Sequence, residues 1–560
     1  MPISGAGMEI SVKNKIFHTQ EWRIIMKLSI EGIKDKKEWE KAGIKLPSYD
    51  VEKVATATKE APVWVHFGIG NIFRIFIGGI ADSLLEQGLS DKGITCVETF
   101  DYDVVDKIYT PFDNLVMAVT LKEDGSTDKK VLGSLTEAVK AQSAVEEDWS
   151  RLKTIFASPK LQMVSFTITE KGYALHDAKG DFFPFIKSDI DNGPDKASSA
   201  MAVVAALLLE RFNTCKAPLA VVSMDNCSHN GEKLRNSVTE MVSEWAKKGF
   251  VGEDFVKYVN DENTISFPWS MIDKITPRPA DSVAKALEDA GVEDMAPVIT
   301  SKRTYIAPFV NAEGPQYLVI EDRFPNGRPQ LEKAGVYMTD RDTVNKVERM
   351  KVTTCLNPLH TALAVYGCIL GYDLIADEMK DKELAELVRR IGLVEGMPVV
   401  TDPGIISPEK FADEVLNVRI PNPFMPDTPQ RIATDTSQKV GIRYGETIKS
   451  YVAKEGNAKK LTAIPLAIAG WCRYLLGVDD NGGSFELSAD PMSEELKAQL
   501  EGIKVGESSS YTGQLKNLLS NANIFGINLY EAGIGDKIEE MFVEEIAGKG
   551  AVRETLKKYL

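Results

Sequence analysis

The stretch KVTTCLNPLHTALAVYG, residues 351–367, places three side chains that could act on a reacting oxygen within ten positions. Lys351 could serve as a general acid or base if burial lowers its pKa from about 10.4 toward neutrality. Asn357 offers an amide, and His360 offers an imidazole that can carry a proton. These residue types suit proton transfer at a carbonyl or hydroxyl group. In the structural alternative, Asn357 and His360 simply close the end of a helix.

These side chains can meet only if the chain bends between them. In one unbroken helix Lys351 and His360, nine positions apart, would face opposite sides at about 100° per residue. Pro358 lacks an N–H group and disfavours the helical conformation of Asn357, so one helix should end and another begin there. We expect Asn357 to cap the second helix, with Pro358 at its first position and His360 in its first turn.

A glycine loop in VHFGIGNIFR is the second candidate site. Gly68 and Gly70 follow a short apolar run and precede a helical pattern, where the backbone could approach a pyrophosphate at a helix N-terminus. Glu98 closes the next predicted strand and could accept hydrogen bonds from ribose hydroxyls, with Asp101 as the alternative. An acid there would repel a 2′-phosphate, so NAD is favoured over NADP. A tight turn without a ligand remains the alternative, because Phe73 replaces the third glycine of the usual fingerprint.

The surrounding pattern predicts an α/β fold. Strand, helix and strand follow each other over residues 62–101, and further strands are expected at 162–169 and 218–226, with a helix near 197–213 between them. This order is typical of a parallel sheet. Helical periodicity dominates from about residue 341. We therefore predict an N-terminal Rossmann-like dinucleotide-binding domain followed by a mostly α-helical C-terminal domain.

The predicted boundaries follow from these shifts in pattern. They are an N-terminal extension over 1–60, the Rossmann-like domain over 61–340 with a β-rich insertion near 301–330, and the helical substrate or catalytic domain over 341–560. Within the extension, DKKEWEKAG reads as a solvated helix. A chain of 560 residues is too long for one hydrophobic core, which agrees with two domains.

Composition excludes several classes of function. The formal net charge of −16 disfavours nucleic acid or an anionic membrane as the main partner, leaving a small-molecule substrate. The longest apolar run, MAVVAALLL, is too short to span a membrane. The six cysteines form no CxxC pair and no signal-peptide pattern opens the chain, which favours a cytoplasmic protein. The five histidines show no HxxH or HxxxH spacing, so no metal site is expected.

Six segments, in the same order along the chain, resemble the polyol-specific long-chain dehydrogenase/reductase family. That family includes mannitol 2-dehydrogenases and fructuronate and tagaturonate reductases. The segments are HFGIGNIFR (66–74), SFTITEKGY (165–173), SMDNCSHNGEKLR (223–235), FPWSMIDKITP (267–277), VERMKVTTCLNPLHTALAVYG (347–367) and RIPNPFMPDTPQRIATDTSQK (419–439). The resemblance implies reduction of a ketose or ketouronate carbonyl with NADH, or the reverse oxidation, without a metal.

The resemblance also implies roles for individual residues. Lys351 matches the family's general acid/base, while Asn226, Asn357 and His360 match residues that position and polarise the reacting oxygen. Carbonyl reduction builds negative charge on oxygen, which amide donors stabilise. The positions that match substrate contacts are Asp273, Arg431, Lys439 and Glu348. The predicted cofactor-binding residues are Gly68, Ile69, Gly70, Asn71, Arg74 and Glu98.

Several of these residues also have a structural alternative. Glu348 could be only an i,i+3 partner of Lys351, and Asn226 could be an ordinary turn residue after a strand. Asp273 could merely fix the following loop. Arg431 and Lys439 could bind a substrate carboxylate, for which a guanidinium is suited, or could be a solvated pair.

The chain departs from the family pattern at three places. Asn357 lies six positions after Lys351, where the family spacing is usually five, so an extra residue must be absorbed near Thr353–Cys355. IDK replaces the usual VDR at 272–274, and Phe73 replaces a histidine. The form CLNPLHTALAVYG resembles the fructuronate reductase branch.

The predicted function is therefore NAD-dependent interconversion of a ketouronate and its sugar acid, D-fructuronate and D-mannonate. Mannitol 2-dehydrogenase and tagaturonate reductase activities are alternatives with the same chemistry. A nucleotide-binding protein that has lost turnover is the alternative of another class. The sequence does not indicate an oligomeric state.

Overall fold

The structure of the chain is a computed structural model that describes residues 25–560. Within this range the strands, numbered in chain order, are β1 (Ile44–Lys45), β2 (Trp64–Phe67), β3 (Ile94–Glu98), β4 (Val116–Leu121), β5 (Thr127–Leu132), β6 (Leu135–Lys140), β7 (Met163–Phe166), β8 (Leu219–Ser223), β9 (Ile265–Ser266), β10 (Ser270–Asp273), β11 (Val298–Ile299), β12 (Tyr305–Ile306), β13 (Phe309–Glu313), β14 (Tyr317–Glu321) and β15 (Tyr337–Thr339). The strands predicted at 93–101, 162–169 and 218–226 correspond to β3, β7 and β8.

The central element is a six-stranded parallel sheet in the order β6-β3-β2-β7-β8-β9. Counted along the chain within this sheet, the order is 3-2-1-4-5-6, the doubly wound arrangement of dinucleotide-binding domains. Strands β2, β3, β7 and β8 are buried along their whole length. Such strands carry continuous apolar runs because helices cover both faces. The predicted Rossmann-like domain is therefore confirmed.

The α-helices of this first part flank its sheets. They are Lys36–Lys41, Val51–Glu60, Gly78–Glu86, Glu146–Ala157, Thr169–Tyr173, Pro184–Asn192, Ala200–Thr214, Asn230–Lys247, Glu253–Asn260 and Asp281–Asp289. Ala200–Thr214 is the helix expected near 197–213. It begins where the Ser199 side chain accepts a hydrogen bond from Ala202 N–H, and it is buried because its apolar residues surround it on most sides.

The β-rich tract expected near 301–330 contributes to three additional sheets, the smallest of which is the antiparallel pair of β11 and β12. β13 pairs with β4 in a four-stranded sheet of order β1-β5-β4-β13, and β14 lies between β10 and β15. Residues 1–24 of the predicted extension lie outside the described residues. Within residues 25–60, β1 joins the four-stranded sheet. The helix Lys36–Lys41 exposes its lysines but buries Trp39, whose indole N–H donates to the Gly32 carbonyl at 3.0 Å.

From Arg341 onward the secondary structure is helical, as predicted. The α-helices are Arg341–Met350, Asn357–Leu370, Ile375–Glu378, Lys382–Arg389, Pro408–Glu414, Pro429–Ile432, Glu446–Glu455, Ala463–Tyr474, Ser493–Gln499, Leu515–Leu519, Ala522–Phe525, Gly535–Glu545 and Ala551–Tyr559. Their apolar faces form one core, which Met271 of β10 and Val319 of β14 also join. The two parts therefore pack against each other through β10 and β14. Across residues 25–560, no helix combines the length and apolarity needed to cross a membrane.

Candidate active site

Lys351 lies where the two parts of the chain meet. The helix Arg341–Met350 begins at Asp340, whose side chain accepts a hydrogen bond from Thr343 N–H at 2.8 Å. Lys351 follows the last residue of this helix and is 3% exposed. Its Nζ donates to Asn226 Oδ1 at 2.9 Å, just beyond β8, and to the Ile272 carbonyl in β10 at 3.1 Å. A lysine from the helical part is thus held at the carboxyl end of the parallel sheet, where ligands bind in such folds.

The extra residue after Lys351 is absorbed by a widened helical turn. Residues Lys351–Cys355 are π-helical, and Leu356 N–H donates to the Lys351 carbonyl, five residues back, at 3.1 Å. A π-helical turn accommodates one inserted residue without ending the helix, and such turns are frequent at functional sites. The turn lies in the segment where an extra residue was expected, and Lys351 is directed into the protein.

The chain bends directly after this turn, as predicted. Leu356 adopts φ −132° and ψ −62°, and a new helix runs over Asn357–Leu370. The predicted cap is wrong by one position: Leu356 precedes the helix, Asn357 is its first residue and Pro358 its second. The Leu356 carbonyl accepts from His360 N–H at 3.1 Å. The widened turn already places this carbonyl to begin the helix, so the Asn357 amide is not used as a cap.

Burial decides the acid/base behaviour of Lys351. It lowers the pKa of Lys351 below the ordinary value of a lysine, because a charged amine is poorly solvated inside the protein. The Asp273 carboxylate works against this shift, and the Arg419 guanidinium adds to it. Glu348 also works against it. The net direction is the one that a lysine needs to exchange protons near neutral pH.

Asp273 is part of a buried ion cluster that the sequence did not reveal. Arg419 donates to Asp273 through Nη1, and through Nη2 to Asp273 Oδ1 at 3.1 Å. It also donates to Glu313 through Nε at 3.0 Å and Nη2 at 2.8 Å. Burial acts to raise the pKa of Asp273, but Arg419, together with Lys351 and His360, holds that pKa below its ordinary value. Asp273 is therefore a fixed carboxylate beside Lys351.

Arg419 could have been suspected from its position in the chain. It ends the π-helical turn Val415–Arg419, next to the buried Leu416, and opens the RIPNPF motif. A charged residue in an apolar helical pattern is normally paired when buried. The sequence could not identify Asp273 and Glu313 as its partners, since they lie 146 and 106 positions away.

His360 lies in the same region with a neutral ring. Burial lowers the pKa of His360 well below its ordinary value, although Asp427 acts in the opposite direction. The guanidinium groups of Arg419, Arg443 and Arg431 lower it further. A neutral imidazole has one donor and one acceptor nitrogen. It can therefore hydrogen-bond to a substrate oxygen without carrying charge.

The predicted carboxylate-binding pair is not in one environment. Arg431 is exposed and forms an ion pair with Asp427. Lys439 is half-buried and donates to the Thr434 carbonyl. Burial lowers the pKa of Lys439, as does the nearby Arg443. Arg443 was not singled out from the sequence, although it follows Lys439 by one helical turn.

Glu348 lines an open cleft between the two parts of the chain, one turn before Lys351. The cleft has a volume of about 740 Å³. Its walls include Ser228 and His229 from the loop after β8, and Ser437 and Ile442 from the segment that carries Lys439. The cleft therefore runs along the helix Arg341–Met350, which leads into Lys351.

The glycine loop occupies the position between β2 and β7 where the strand order reverses. Gly68 has φ +86°, and a Cβ added there would lie 2.2 Å from the Thr167 carbonyl oxygen. Gly68 is therefore required by both backbone conformation and space. A Cβ added at Gly70 would meet nothing within 4 Å, so the loop surface there is open. The side-chain oxygen of Asn71, at the start of the following helix, is buried without a hydrogen-bond partner among the described residues.

Glu98 and Asp101 have different neighbours at the end of β3. Glu98 Oε1 accepts from the N–H groups of Thr99, Phe100 and Asp101 at 3.0, 2.9 and 3.1 Å. Its other oxygen lies 3.5 Å from the backbone nitrogen of Ile69, which ties the glycine loop to β3. Asp101 Oδ1 is buried without a partner among residues 25–560, so it is the more available acceptor for a ribose hydroxyl.

The structure contradicts the predicted cofactor contact of Arg74. This side chain is fully buried, and its Nη1 and Nη2 donate to the carbonyls of Ala307 and Pro308 at 2.7 and 2.8 Å. Its guanidinium lies 5.9 Å from the ring centre of Tyr109. Arg74 therefore joins the helix after the glycine loop to the segment that leads into β13. Its sequence position beside the loop did not reveal that it points inward.

Comparison with known proteins identifies the family. A family model described as the mannitol dehydrogenase Rossmann domain matches residues 62–333, and one described as the mannitol dehydrogenase C-terminal domain matches residues 343–546. The chain belongs to the mannitol dehydrogenase family. The resemblance seen in the six sequence motifs is thus confirmed, and as a member of this family the chain is an oxidoreductase.

Named relatives cover nearly the whole chain. A D-mannonate oxidoreductase of Thermotoga maritima is 54% identical over 536 residues, covering 95% of this chain and 99% of the relative. A polyol:NADP oxidoreductase of Gluconobacter oxydans is 29% identical, with 82% of this chain and 88% of that protein covered. This member of the mannitol dehydrogenase family thus resembles enzymes named for both sugar acids and polyols.

Solved structures show the same fold. A D-sorbitol dehydrogenase in substrate-free form has a TM-score of 0.72 at 26% identity, covering 90% of this chain and 97% of that chain. The Pseudomonas fluorescens mannitol 2-dehydrogenase in a ternary complex with NAD and D-mannitol has a TM-score of 0.67 at 25% identity, with 95% and 99% covered. The arrangement of a Rossmann domain followed by a helical domain is therefore shared with these family members.

Proposed function

We propose that the chain is an NAD-dependent oxidoreductase that interconverts D-fructuronate and D-mannonate, with Lys351 as general acid/base. The observation that carries the chemistry is the buried Lys351 amine, held by Asn226 and the Ile272 carbonyl at the carboxyl end of the parallel sheet. The choice of substrate is supported by the 54% identity to a D-mannonate oxidoreductase over nearly the full length of both chains.

The residues of the glycine loop fit a dinucleotide. The open surface at Gly70 and the start of the helix at Asn71 would hold the pyrophosphate, through backbone N–H groups. Asp101, with Glu98 behind it, would accept hydrogen bonds from the adenosine ribose. When bound, the nicotinamide accepts or supplies the hydride. Two carboxylates at the end of β3 disfavour a 2′-phosphate, which supports NAD over NADP.

The polar side chains around Lys351 would act on the oxygen of the reacting carbon. During reduction, Lys351 donates its proton to that oxygen, and during oxidation it removes the proton. The Asn226 oxygen accepts from Lys351, so its amide NH₂ remains available to the developing negative charge. Asn357, which is not used as a helix cap, supplies a second amide. Donors placed in advance at such an oxygen commonly contribute about 2.7–4 kcal/mol each to transition-state stabilisation.

His360 and Asp273 would position the substrate in this account. The neutral His360 ring can hydrogen-bond to a hydroxyl without attracting a proton from Lys351. Asp273 keeps its charge because Arg419 stabilises it, and a carboxylate accepts hydrogen bonds from sugar hydroxyls. Both carboxylate oxygens of Glu313 also accept hydrogen bonds from Arg419, so the cluster is rigid.

The test is the rate of NADH oxidation with D-fructuronate, D-tagaturonate and D-fructose, each repeated with NADPH. We expect D-fructuronate with NADH to give the highest kcat/KM. A higher value with D-fructose would favour the mannitol 2-dehydrogenase alternative, and one with D-tagaturonate the tagaturonate reductase alternative. NADH binding without turnover of any substrate would favour a silent nucleotide-binding protein.

A further inference from the structure

We propose that Arg443, together with Lys439, binds the carboxylate of the sugar-acid substrate and thereby distinguishes sugar acids from the corresponding polyols. This inference rests on the proposed function, since it names the group that would select D-mannonate over D-mannitol. It assigns the selection to Arg443, although Arg431 was the arginine suggested by the family motif.

The two cations are brought together by local helical structure. Arg443 lies in the π-helical turn Gly441–Gly445. Its backbone N–H donates to the Lys439 carbonyl at 2.9 Å, so the two side chains leave the chain one turn apart. Residues four apart on a helix lie on the same face. A planar guanidinium and an amine therefore share one wall of the site.

Arg443 is also tied to the turn that carries Asn357 and His360. Its Nη1 donates to Thr361 Oγ1, and Thr361 is the residue directly after His360. The same hydroxyl oxygen donates to the Asn357 carbonyl at 3.0 Å. Arg443 acts on the pKa of His360 as well. The guanidinium is therefore fixed to the helix that carries Asn357 and His360, close enough to His360 to act on its pKa.

The decisive feature is the missing counter-charge. Among residues 25–560, no Asp or Glu oxygen lies within ion-pair distance of Arg443 or Lys439. Asp435 and Asp490 act on Lys439 only from farther away, and Asp490 is bonded to Ser437 at 2.8 Å. Burial lowers the pKa of Arg443 to about 10. A half-buried cation without an anion adds no stability to the fold, and a substrate carboxylate would supply the missing opposite charge.

The three arginines compared with Arg443 each have a carboxylate partner. Arg419 is surrounded by two carboxylates, Arg431 is paired with Asp427, and Arg349 in the open cleft is paired with Glu446. None of these three needs a ligand to balance its charge. The guanidinium of Arg443 retains free N–H groups, and its planar fork matches a carboxylate.

The chemistry of the substrate agrees with this position. In D-mannonate the carboxylate lies at one end of the chain and the carbon that becomes the ketone of D-fructuronate lies toward the other. One end would therefore face Lys351 while the carboxylate reaches a second site. Ser437, Gln438 and Gly441, from the segment of Lys439 and Arg443, line the same cleft as Glu348, so this segment and the helix that leads into Lys351 border one opening.

Equilibrium binding of D-mannonate and D-mannitol, measured by calorimetry on the NADH-bound full chain, tests the inference. These ligands differ only in a carboxylate or a hydroxymethyl group at one end. For the wild type we expect tighter binding of D-mannonate. Arg443→Gln should weaken D-mannonate binding about 10- to 100-fold, the usual effect of losing a hydrogen bond to a charged group, and leave D-mannitol binding within about twofold. Arg443→Lys should recover part of the loss because it keeps the charge.

The control is Arg349→Gln, which removes a cleft arginine that Glu446 already neutralises and should leave both affinities unchanged. Thermal melting and NADH affinity check that each variant is folded. Equal weakening of both ligands by Arg443→Gln would overturn the inference, because Arg443 would then act through Thr361 and the turn. Should Arg443→Gln fail to fold, equal affinity of the wild type for both ligands, or full loss in Arg443→Lys, would also overturn it.

Failure of the inference is separable from failure of the proposed function because binding is measured without turnover. Preference for D-mannonate that depends on Arg443, combined with turnover of another substrate only, would sustain the inference and refute the function. Turnover of D-fructuronate with no effect of Arg443→Gln would sustain the function and refute the inference.

Discussion

Arg419 and Arg443, two arginines that both act on the pKa of His360, differ in their counter-charges. Arg419 acts on the pKa of Lys351 and forms ion pairs with the carboxylates of Asp273 and Glu313, and all three members of this cluster are buried. Arg443 lies beside His360 with only the Thr361 hydroxyl as its bonded side chain among the described residues. The first arrangement is complete without a ligand. The second has a positive charge that nothing in the described chain balances.

This difference indicates which buried charges hold the fold and which await a substrate. A buried ion cluster contributes little net stability but is expensive to break, since each remaining charge loses its partner. An unpaired, half-buried cation does not stabilise the fold, so its removal should hardly change the free energy of unfolding. Mutation of Arg419 should thus change the stability of the protein, whereas mutation of Arg443 should change substrate binding.

Removal of the amine shared by both regions should have the largest effect. Lys351→Ala should reduce kcat for D-fructuronate reduction about 10²- to 10⁴-fold, the usual contribution of a general acid/base. NADH affinity should not change, since Lys351 contacts Asn226 and Ile272 and not the glycine loop. Stopped-flow single turnover and NADH titration measure the two quantities. Unaltered turnover would remove Lys351 from the mechanism.

The free energy of unfolding tests the difference between Arg419 and Arg443. Arg419→Met should lower the free energy of unfolding by about 3–5 kcal/mol, because Asp273 and Glu313 would remain buried without a counter-ion. Arg443→Met should change it by less than about 1 kcal/mol, since it breaks no ion pair. Urea denaturation of both variants gives the values. Similar losses in the two variants would show that the difference in counter-charge has no energetic meaning.

A buried carboxyl in the helical core gives a third, pH-dependent case. Burial raises the pKa of Glu545 to about 8, and its Oε1 accepts from the Tyr366 hydroxyl at 2.7 Å. The folded state therefore binds a proton that the unfolded chain releases above about pH 4.3. Stability should fall as pH rises from about 4.5 to 8, where this proton is lost in the fold as well.

The variant Glu545→Gln, which has no proton to lose, isolates this contribution. Its melting temperature should exceed that of the wild type by more at pH 8.5 than at pH 5.5. The comparison of melting curves at the two pH values measures the effect. If the difference in melting temperature between wild type and variant were the same at both pH values, Glu545 would be ionised in the folded protein.

The smallest expected effect concerns Glu348, which lines the open cleft one helical turn before Lys351. Glu348 works to raise the pKa of Lys351 against the effect of burial. Oxidation of D-mannonate requires the neutral amine, so its rate should rise with pH through this pKa. Glu348→Gln should move that rise to lower pH. Glu446→Gln, which changes a carboxylate in the same cleft that does not act on Lys351, should leave the profile in place.

The sequence was sufficient for the fold because its signals are local. Continuous apolar runs at β3, β7 and β8 indicated buried parallel strands, and the glycine loop after β2 marked the point where the strand order reverses. The bend before Pro358 followed from the geometry of proline. The short strands β13 and β14 were expected as β-structure, but their pairing with β4 and β10 depends on contacts distant in sequence.

The candidate site was predicted less completely, because burial and pairing of charges are tertiary properties. The chain has 66 lysines and arginines, and nothing local separates the inward-facing Arg74 from a cofactor contact. Arg419 and Arg443 likewise become informative only once their partners are known. The sequence predicted an extra residue after Lys351, but it did not predict that the chain forms a π-helical turn there.

A crystal structure of the full chain with NAD and D-mannonate would test the central claim most directly. We expect the hydroxyl oxygen of the reacting carbon within hydrogen-bond distance of Lys351 Nζ, about 3 Å, and the carboxylate paired with Arg443. A ligand bound in the reverse orientation, or a Lys351 amine turned away from the reacting oxygen, would contradict the account.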